Sequence, residues 1–350
     1  MLHGLVQSSI WRLEKLKIFD CGDNRLGDTL EMDAFLELKD MQYLFLSSNN
    51  FYLVSPNNSN ATHHQAQLVD IALRYYHRKE FPYFLRNQHR LQLLDLSLNN
   101  IQGQIPQWMS KVSVETLLFL DLSYNSLTDF DDFPLVLPWS KLQYLKLDSN
   151  IIRGSLPVPP LSTVFYCISN NFLKGEIPQL LCNLNFLSIL DFSYNNMSGG
   201  IPVCLSNFNK SLLVLKVRSN QLEGPIPNGW ASGNRLKMIH LSKNKLQEKI
   251  PKSLMECKML EYLDLGNNQI RDAFPSWLGS LPELNILSLS SNAFYGRMEN
   301  PKLNLIVFPK LRIIRSFSQQ IQWNLVLVIR VTKALDAYTK ERENQDSLSC

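Results

Sequence analysis

The chain predicts an α/β solenoid whose short parallel strands form a curved sheet on the concave face. Three observations predict it. The tract LQLLDLSLNNIQGQIP from Leu91 recurs about every 24 residues, with its best copies from Leu187, Leu212 and Leu236. Within each copy the apolar residues keep to positions 1, 4, 6 and 11, so one edge of every coil is committed to a core. Asn returns at position 9 and G-x-I-P closes the motif from position 13.

Residues 1–15 read as the back half of an incomplete repeat, through Gly4, Ile10 and Leu13. About twelve coils fill residues 16–310, starting at Leu16, Met41, Leu68, Leu91, Leu117, Leu142, Thr163, Leu187, Leu212, Leu236, Leu260 and Leu284. Residues 311–350 read as an aborted repeat opening at Leu311, followed by a divergent tail. A solenoid is one continuous body whose core grows coil by coil, so this reading replaces a two-domain one.

Each position has a physical reason. Leucines at positions 1, 4, 6 and 11 stack on their counterparts in the next coil. Position 9 carries Asn24, Asn49, Asn99, Asn125, Asn150, Asn171, Asn195, Asn220, Asn244, Asn268 and Asn292. An amide there donates and accepts at once, satisfying backbone groups that turn inward after the strand. Glycine at position 13 permits a tight turn, and the I-P pair fits a short extended edge segment. The coil at Leu68 departs from the pattern, with Tyr76 at position 9 and Arg78 at position 11, and is expected to be looser.

Composition excludes several classes. Hydrophobic residues make up 45% and charged residues 19%, so burial is ample. A net charge of +4 gives no whole-chain argument for nucleic acid. Six cysteines include no C-x-x-C pair, which argues against a zinc site. His63, His64, His77 and His89 lack metal-ligand spacing, and no metal or cofactor is expected. Asp95, Asp121, Asp191 and Asp264 share position 5 as a repeat feature rather than an acid/base pair. No nucleophile elbow, phosphate loop or kinase signature occurs, so the chain is not read as an enzyme. The longest apolar run of the tail, Leu325–Ile329, is far too short to span a bilayer. The N-terminal MLHGLVQSSIWRLEKL lacks the pattern of a signal peptide.

Binding is the job that remains. Position 3 reads Leu93, Phe119, Tyr144, Phe165, Ile189, Val214, Met238, Tyr262 and Ile286, an apolar stripe on the concave face. Partial shielding by neighbouring strands is the alternative reading of that stripe. Lys216, Arg218, Lys237, His240 and Lys243 form a basic band beside Glu261 and Asp264, suited to orienting a charged peptide or simply a solvated face. The ligand-binding candidates are therefore Tyr144, Phe165, Val214, Lys216, Arg218, Met238, His240, Tyr262 and Asp264. Sequons at Asn57, Asn60, Asn196 and Asn209 are glycosylation candidates if the chain is exported, although about four are expected by chance.

The 24-residue period and its G-x-I-P extension resemble the plant extracellular subtype of leucine-rich repeat. LLCNLNFLSILDFSYNNMSGGIPVCL (Leu180–Leu205) and LMECKMLEYLDLGNNQIRDAFPSWLGSLPELNIL (Leu254–Leu287) resemble plant leucine-rich-repeat receptor-like proteins of the disease-resistance type. The resemblance runs from about residue 1 to about 314 and implies a ligand-recognition ectodomain at the plasma membrane, on its extracellular side. It implies a peptide or protein elicitor as ligand in defence or developmental signalling, and partner receptor kinases, because such proteins carry a membrane helix and a short tail without a kinase. This stretch has no membrane helix, signal peptide or cysteine-bearing cap, and is read as truncated at both ends. The alternatives are a soluble inhibitor of a secreted microbial wall-degrading enzyme, or a non-functional truncated product. Cys182 and Cys204 occupy positions 20 and 18 of successive coils, close enough for a disulfide if the chain is exported; two buried free thiols are the other outcome.

Overall fold

The computed structural model describes residues 1–27, 29–54, 65–75, 79–130, 132–207, 211–297, 308–315 and 321–322. Tyr76 and Arg78 of the irregular coil lie outside them, as do His63, His64 and His77. The chain divides into two compact bodies, Met1–Phe172 and Leu173–Cys350.

The first body carries seven concave strands: β1 (Ile18–Asp20), β2 (Tyr43–Phe45), β3 (Asp70–Ala72), β4 (Leu93–Asp95), β5 (Phe119–Asp121), β6 (Tyr144–Lys146) and β7 (Phe165–Cys167). Each pairs in parallel with the next, so the same coil position always faces itself. The second body repeats the arrangement with β8 (Ile189–Asp191), β9 (Val214–Lys216), β10 (Met238–His240), β11 (Tyr262–Asp264), β12 (Ile286–Ser288) and β13 (Ile313–Arg315). Every strand covers only positions 3 to 5 of its coil. The leucine positions are the core: Leu91, Leu94, Leu96 and Ile101 are each 0% exposed. Burying one such side chain contributes roughly 1.5–3 kcal/mol. Ahead of β1, His3–Gly4 pairs with Arg25–Leu26, and a 3-10 turn follows at Ser8–Arg12.

The backs of the coils are mostly short 3-10 turns, such as Gln107–Lys111, Gln179–Asn183 and Lys252–Glu256, with one α-turn at Met32–Glu37. The proline of the I-P pair is the residue that opens them. Its carbonyl accepts the first turn bond, as from Met109 N–H to Pro106 O at 2.9 Å and Leu254 N–H to Pro251 O at 3.1 Å. Proline needs no donor there, and its fixed φ presets the turn.

Asparagine at position 9 ties each coil to its neighbours. Asn220 Nδ2 donates to Phe192 O at 3.1 Å in the preceding coil and to Val217 O at 3.2 Å in its own, while its Oδ1 accepts Met197 N–H at 3.0 Å. Asn99, Asn150, Asn244 and Asn268 repeat the pattern of donation. These carbonyls and amides point inward where no water reaches, so the amide meets an obligatory demand.

One regularity is not visible in the residue types. Position 8 adopts a left-handed backbone in all twelve coils, at Asp23, Ser48, Tyr75, Leu98, Tyr124, Ser149, Asn170, Tyr194, Ser219, Lys243, Asn267 and Ser291, with φ between 53° and 58°. Such a conformation costs a non-glycine residue on the order of 1–3 kcal/mol. It is held because the position-8 N–H reaches the position-7 carbonyl of the next coil, as in Tyr194 N–H to Arg218 O at 2.7 Å and Lys243 N–H to Gly266 O at 2.9 Å. At position 13, where Gly103 and Gly224 have φ of +82° and +78°, glycine makes the conformation nearly free.

Candidate functional site

The concave face is set by alternation along three-residue strands: position 4 enters the core, while positions 3 and 5 face the other way. In the first body, position 3 builds an aromatic row. Tyr144 is 42% exposed and lies between half-buried Phe119 and Phe165, with ring centroids 6.0 Å and 6.2 Å away. Parallel in-register strands bring these rings into contact without any turn chemistry of their own. In the second body, Val214, Met238 and Tyr262 face one another in register at position 3, each half-buried.

Position 5 pairs several of the charges that the sequence set in a basic band beside an acidic one. The aspartates are buried, Asp95 at 2%, Asp121 at 2%, Asp191 at 3% and Asp264 at 7% exposure. One oxygen of each caps the backbone two residues on: Asp121 Oδ1 accepts Ser123 N–H at 2.9 Å and Asp191 Oδ1 accepts Ser193 N–H at 2.9 Å. The other oxygen meets a cation from an adjacent coil. Arg74 Nε sits 2.6 Å from Asp95, Lys146 Nζ 3.1 Å from Asp121, and Lys216 Nζ 3.4 Å from Asp191. Lys237 pairs with Glu261 at 3.1 Å on the exposed flank. The D-x-S spacing was the signal available in the sequence for this capping role.

His240 and Asp264 form the tightest node. His240 Nε2 lies 3.1 Å from Asp264 Oδ2 and 2.9 Å from Ser242 Oγ, and its ring meets Tyr262 edge-on with centroids 5.4 Å apart. Burial raises the Asp264 carboxyl, but the hydrogen bond and charge of His240, the Gly266 N–H and Ser288 outweigh it and hold the group well below the usual carboxylate range. Serine, histidine and aspartate meet here, yet both partners use the same ring nitrogen. A relay needs the carboxylate on the opposite nitrogen, so the node orders side chains and does not activate a nucleophile.

Arg218 stands apart. Its guanidinium carbon lies 5.2 Å from the Tyr194 ring centroid, and its Nε is buried with no hydrogen-bond partner. Among the described residues, no group of His, Cys, Asp and Glu could hold a metal ion. No helix among them is long and apolar enough to cross a membrane.

Cys182 and Cys204 are joined by a disulfide across successive coils, with Cα atoms 5.6 Å apart. Cys257 is a buried thiol, pushed up to about 11 chiefly by burial. Asn196 is exposed at the start of the two-residue strand Asn196–Met197. Asn57, Asn60 and Asn209 lie outside the described residues.

A family model described as Leucine rich repeat matches residues 210–270 and 234–294, and a second, Leucine Rich Repeat, matches 90–112 and 186–208. Receptor-like protein 54 of Arabidopsis thaliana is 34% identical over 228 residues, covering 65% of this chain and 27% of that protein. Receptor-like protein 6 of the same plant is 36% identical over 206 residues, covering 59% and 20%. The chain thus spans about a quarter or less of the curated relatives it matches. Among solved structures, the Arabidopsis receptor kinase HAESA in complex with the peptide hormone IDA and the co-receptor SERK1 superposes with a TM-score of 0.71 at 27% identity, covering 91% of this chain and 56% of that one. The PEPR1-AtPEP1 structure gives 0.64 at 27%, covering 91% and 41%, and a TDR receptor gives 0.72 at 26%, covering 90% and 53%.

Proposed function

From the premise that this chain is a leucine-rich-repeat protein of the plant receptor-like kind, we propose that it is the ligand-recognition part of a cell-surface receptor-like protein. Its concave face binds an extended peptide or protein segment, and partner receptor kinases carry the signal in defence or development. The location is the plasma membrane, on the extracellular side. The single observation that carries this reading is the row of half-buried position-3 side chains on regular parallel strands, with Val214, Met238 and Tyr262 central in the second body. Such a row offers contact area already ordered before binding, which lowers the entropy lost on association. The solved structure of the receptor kinase HAESA, described as in complex with a peptide hormone and a co-receptor, supports the same ligand class. The disulfide fits an exported chain, in which Asn57, Asn60, Asn196 and Asn209 are the candidate glycosylation sites.

The test is a peptide-display selection against the 350-residue chain, with recovered peptides re-measured on Val214→Glu and Met238→Glu variants. A loss of about tenfold or more in affinity supports the reading, since a charge then sits in the contact row. Undiminished binding by both variants moves the site off the concave face.

A further inference from the structure

The backs of the coils differ in charge, and one stretch of the first body carries a surplus. Over residues 81–114 the sequence holds a single carboxylate, Asp95, which is buried on the concave side and paired with Arg74. Away from the strands, on the same two coils, Arg86, His89, Arg90 and Lys111 are exposed. Arg86 and Lys111 belong to successive 3-10 turns, Tyr83–Asn87 and Gln107–Lys111, which pack against each other. Other back turns lack this surplus. Gln179–Asn183 and Ser276–Ser280 carry no charge, and in Lys252–Glu256 one cation is offset by one carboxylate.

Arg86 is held in place by aromatic rings. Its guanidinium carbon lies 4.6 Å from the Tyr83 ring centroid and 5.2 Å from that of Trp108, and Phe81 meets Trp108 edge-on with centroids 6.3 Å apart. Both distances suit a cation–π contact, so the rings fix the fork of N–H donors without neutralising its charge. Among the described residues, the ion pairs all join other groups. Unpaired cations at fixed spacing on a rigid back are complementary to a polyanion. The apolar side chains of the two turns, Phe84, Leu85 and Met109, are buried and offer nothing that could enter a bilayer. Tyr83 and Trp108 are half-buried with Arg86 over them, which makes them poor platforms for stacking bases. A stiff chain with regularly spaced carboxylates fits best. It loses little freedom on binding, and a carboxylate can take the fork of each arginine.

We propose that this back surface, with Arg86, Arg90 and Lys111 as its contacts, binds an acidic polysaccharide of the uronate class. The surface is separate from the concave face. It therefore adds a second binding function to the peptide reading and does not depend on it.

The probe is an end-labelled galacturonate oligomer, titrated with the 350-residue chain and followed by fluorescence anisotropy. A saturable rise that weakens as salt is raised is expected. The fully methyl-esterified oligomer keeps the sugars and loses the charges, and should not compete. Polyglutamate and single-stranded DNA at equal charge should compete only weakly. Arg86→Ala should weaken binding about tenfold, and the pair Arg90→Ala with Lys111→Ala by at least as much. The pair Lys252→Ala with Lys258→Ala, on the back of another coil, should leave binding unchanged. The Arg90 and Lys111 changes spare the ring cluster, so they report on charge even where Arg86→Ala disturbs the turn. The proposal is overturned if the oligomer does not bind, if the Lys252 and Lys258 pair weakens binding as much as the Arg90 and Lys111 pair, or if the esterified oligomer competes equally. Polyglutamate or DNA competing as well as the oligomer itself, or anionic lipid vesicles capturing the chain in its place, would overturn it too. Peptides selected on the concave face should bind these variants unchanged, and loss of both activities together would exclude a separate surface.

Discussion

The two bodies carry the same strands at the same coil positions, yet they present different chemistry on the concave face. In the first, Phe119, Tyr144 and Phe165 make an aromatic row at position 3. In the second, position 3 is a mixed row of Val214, Met238 and Tyr262, while the His240–Asp264 node and the unmatched Arg218 supply polar direction beside it. The backbone ladder and the Asn ties are common to both. Coil architecture is therefore insensitive to what position 3 carries, and that position is free to specify a partner.

The largest expected effect probes what the bodies share. Asn220→Ala removes the donor to Phe192 O and Val217 O and the acceptor for Met197 N–H, and should cost ~3 kcal/mol. Thermal unfolding measures it, and an unchanged midpoint would mean the asparagine ties are dispensable.

Next comes the polar node of the second body. Asp264→Asn should destabilise by roughly 1–2 kcal/mol at neutral pH. The sign follows from the depressed carboxyl: its contribution is present above the unfolded value of about 3.9 and is lost as pH falls below it. Melting curves of the two proteins should therefore converge in acid. A gap that persists unchanged at low pH would exclude the ionised pair as its cause.

Tyr144→Ala in the first body should cost about 1 kcal/mol, the ring being part-exposed and its stacking with two neighbours modest. That cost should not change with salt. The smallest effect is expected for Lys237→Ala, whose pair with Glu261 is exposed on both sides: a change within about 0.5 kcal/mol, vanishing in high salt. A larger salt response for Tyr144→Ala than for Lys237→Ala would invert the contrast between an aromatic and an ionic face.

Much of the architecture was legible in the residues. The solenoid fold followed from the repeat period, because leucines at four fixed positions leave one way to bury them, and Asn at position 9 announced the ties between coils. The left-handed turn at position 8 was not legible. Leu98, Tyr124 and Lys243 have no local preference for it, and it is imposed by the backbone bond to the next coil. The site was read only in part. Residue types showed where charge lies, but pairing depends on contacts between coils, so the engagement of Lys216 with Asp191 and of His240 with Asp264 emerged only in three dimensions. The isolation of Arg218 emerged the same way. A serine in D-x-S is indistinguishable in sequence whether its hydroxyl returns to the aspartate, as at Ser97, or is left over, as at Ser193.

The central claim, that the concave face receives an extended peptide, is tested most directly by photocrosslinking. A display-selected peptide carrying a single photoreactive residue, moved stepwise along its length, is crosslinked to the chain and the attachment points are mapped by mass spectrometry. The account predicts attachment at positions 3, 5 and 7 of successive coils, among them Val214, Arg218, Met238 and Tyr262, advancing by one coil as the photoreactive residue advances. Attachment instead to the 3-10 turns at Gln179–Asn183 or Lys252–Glu256, on the backs of the coils, would contradict it.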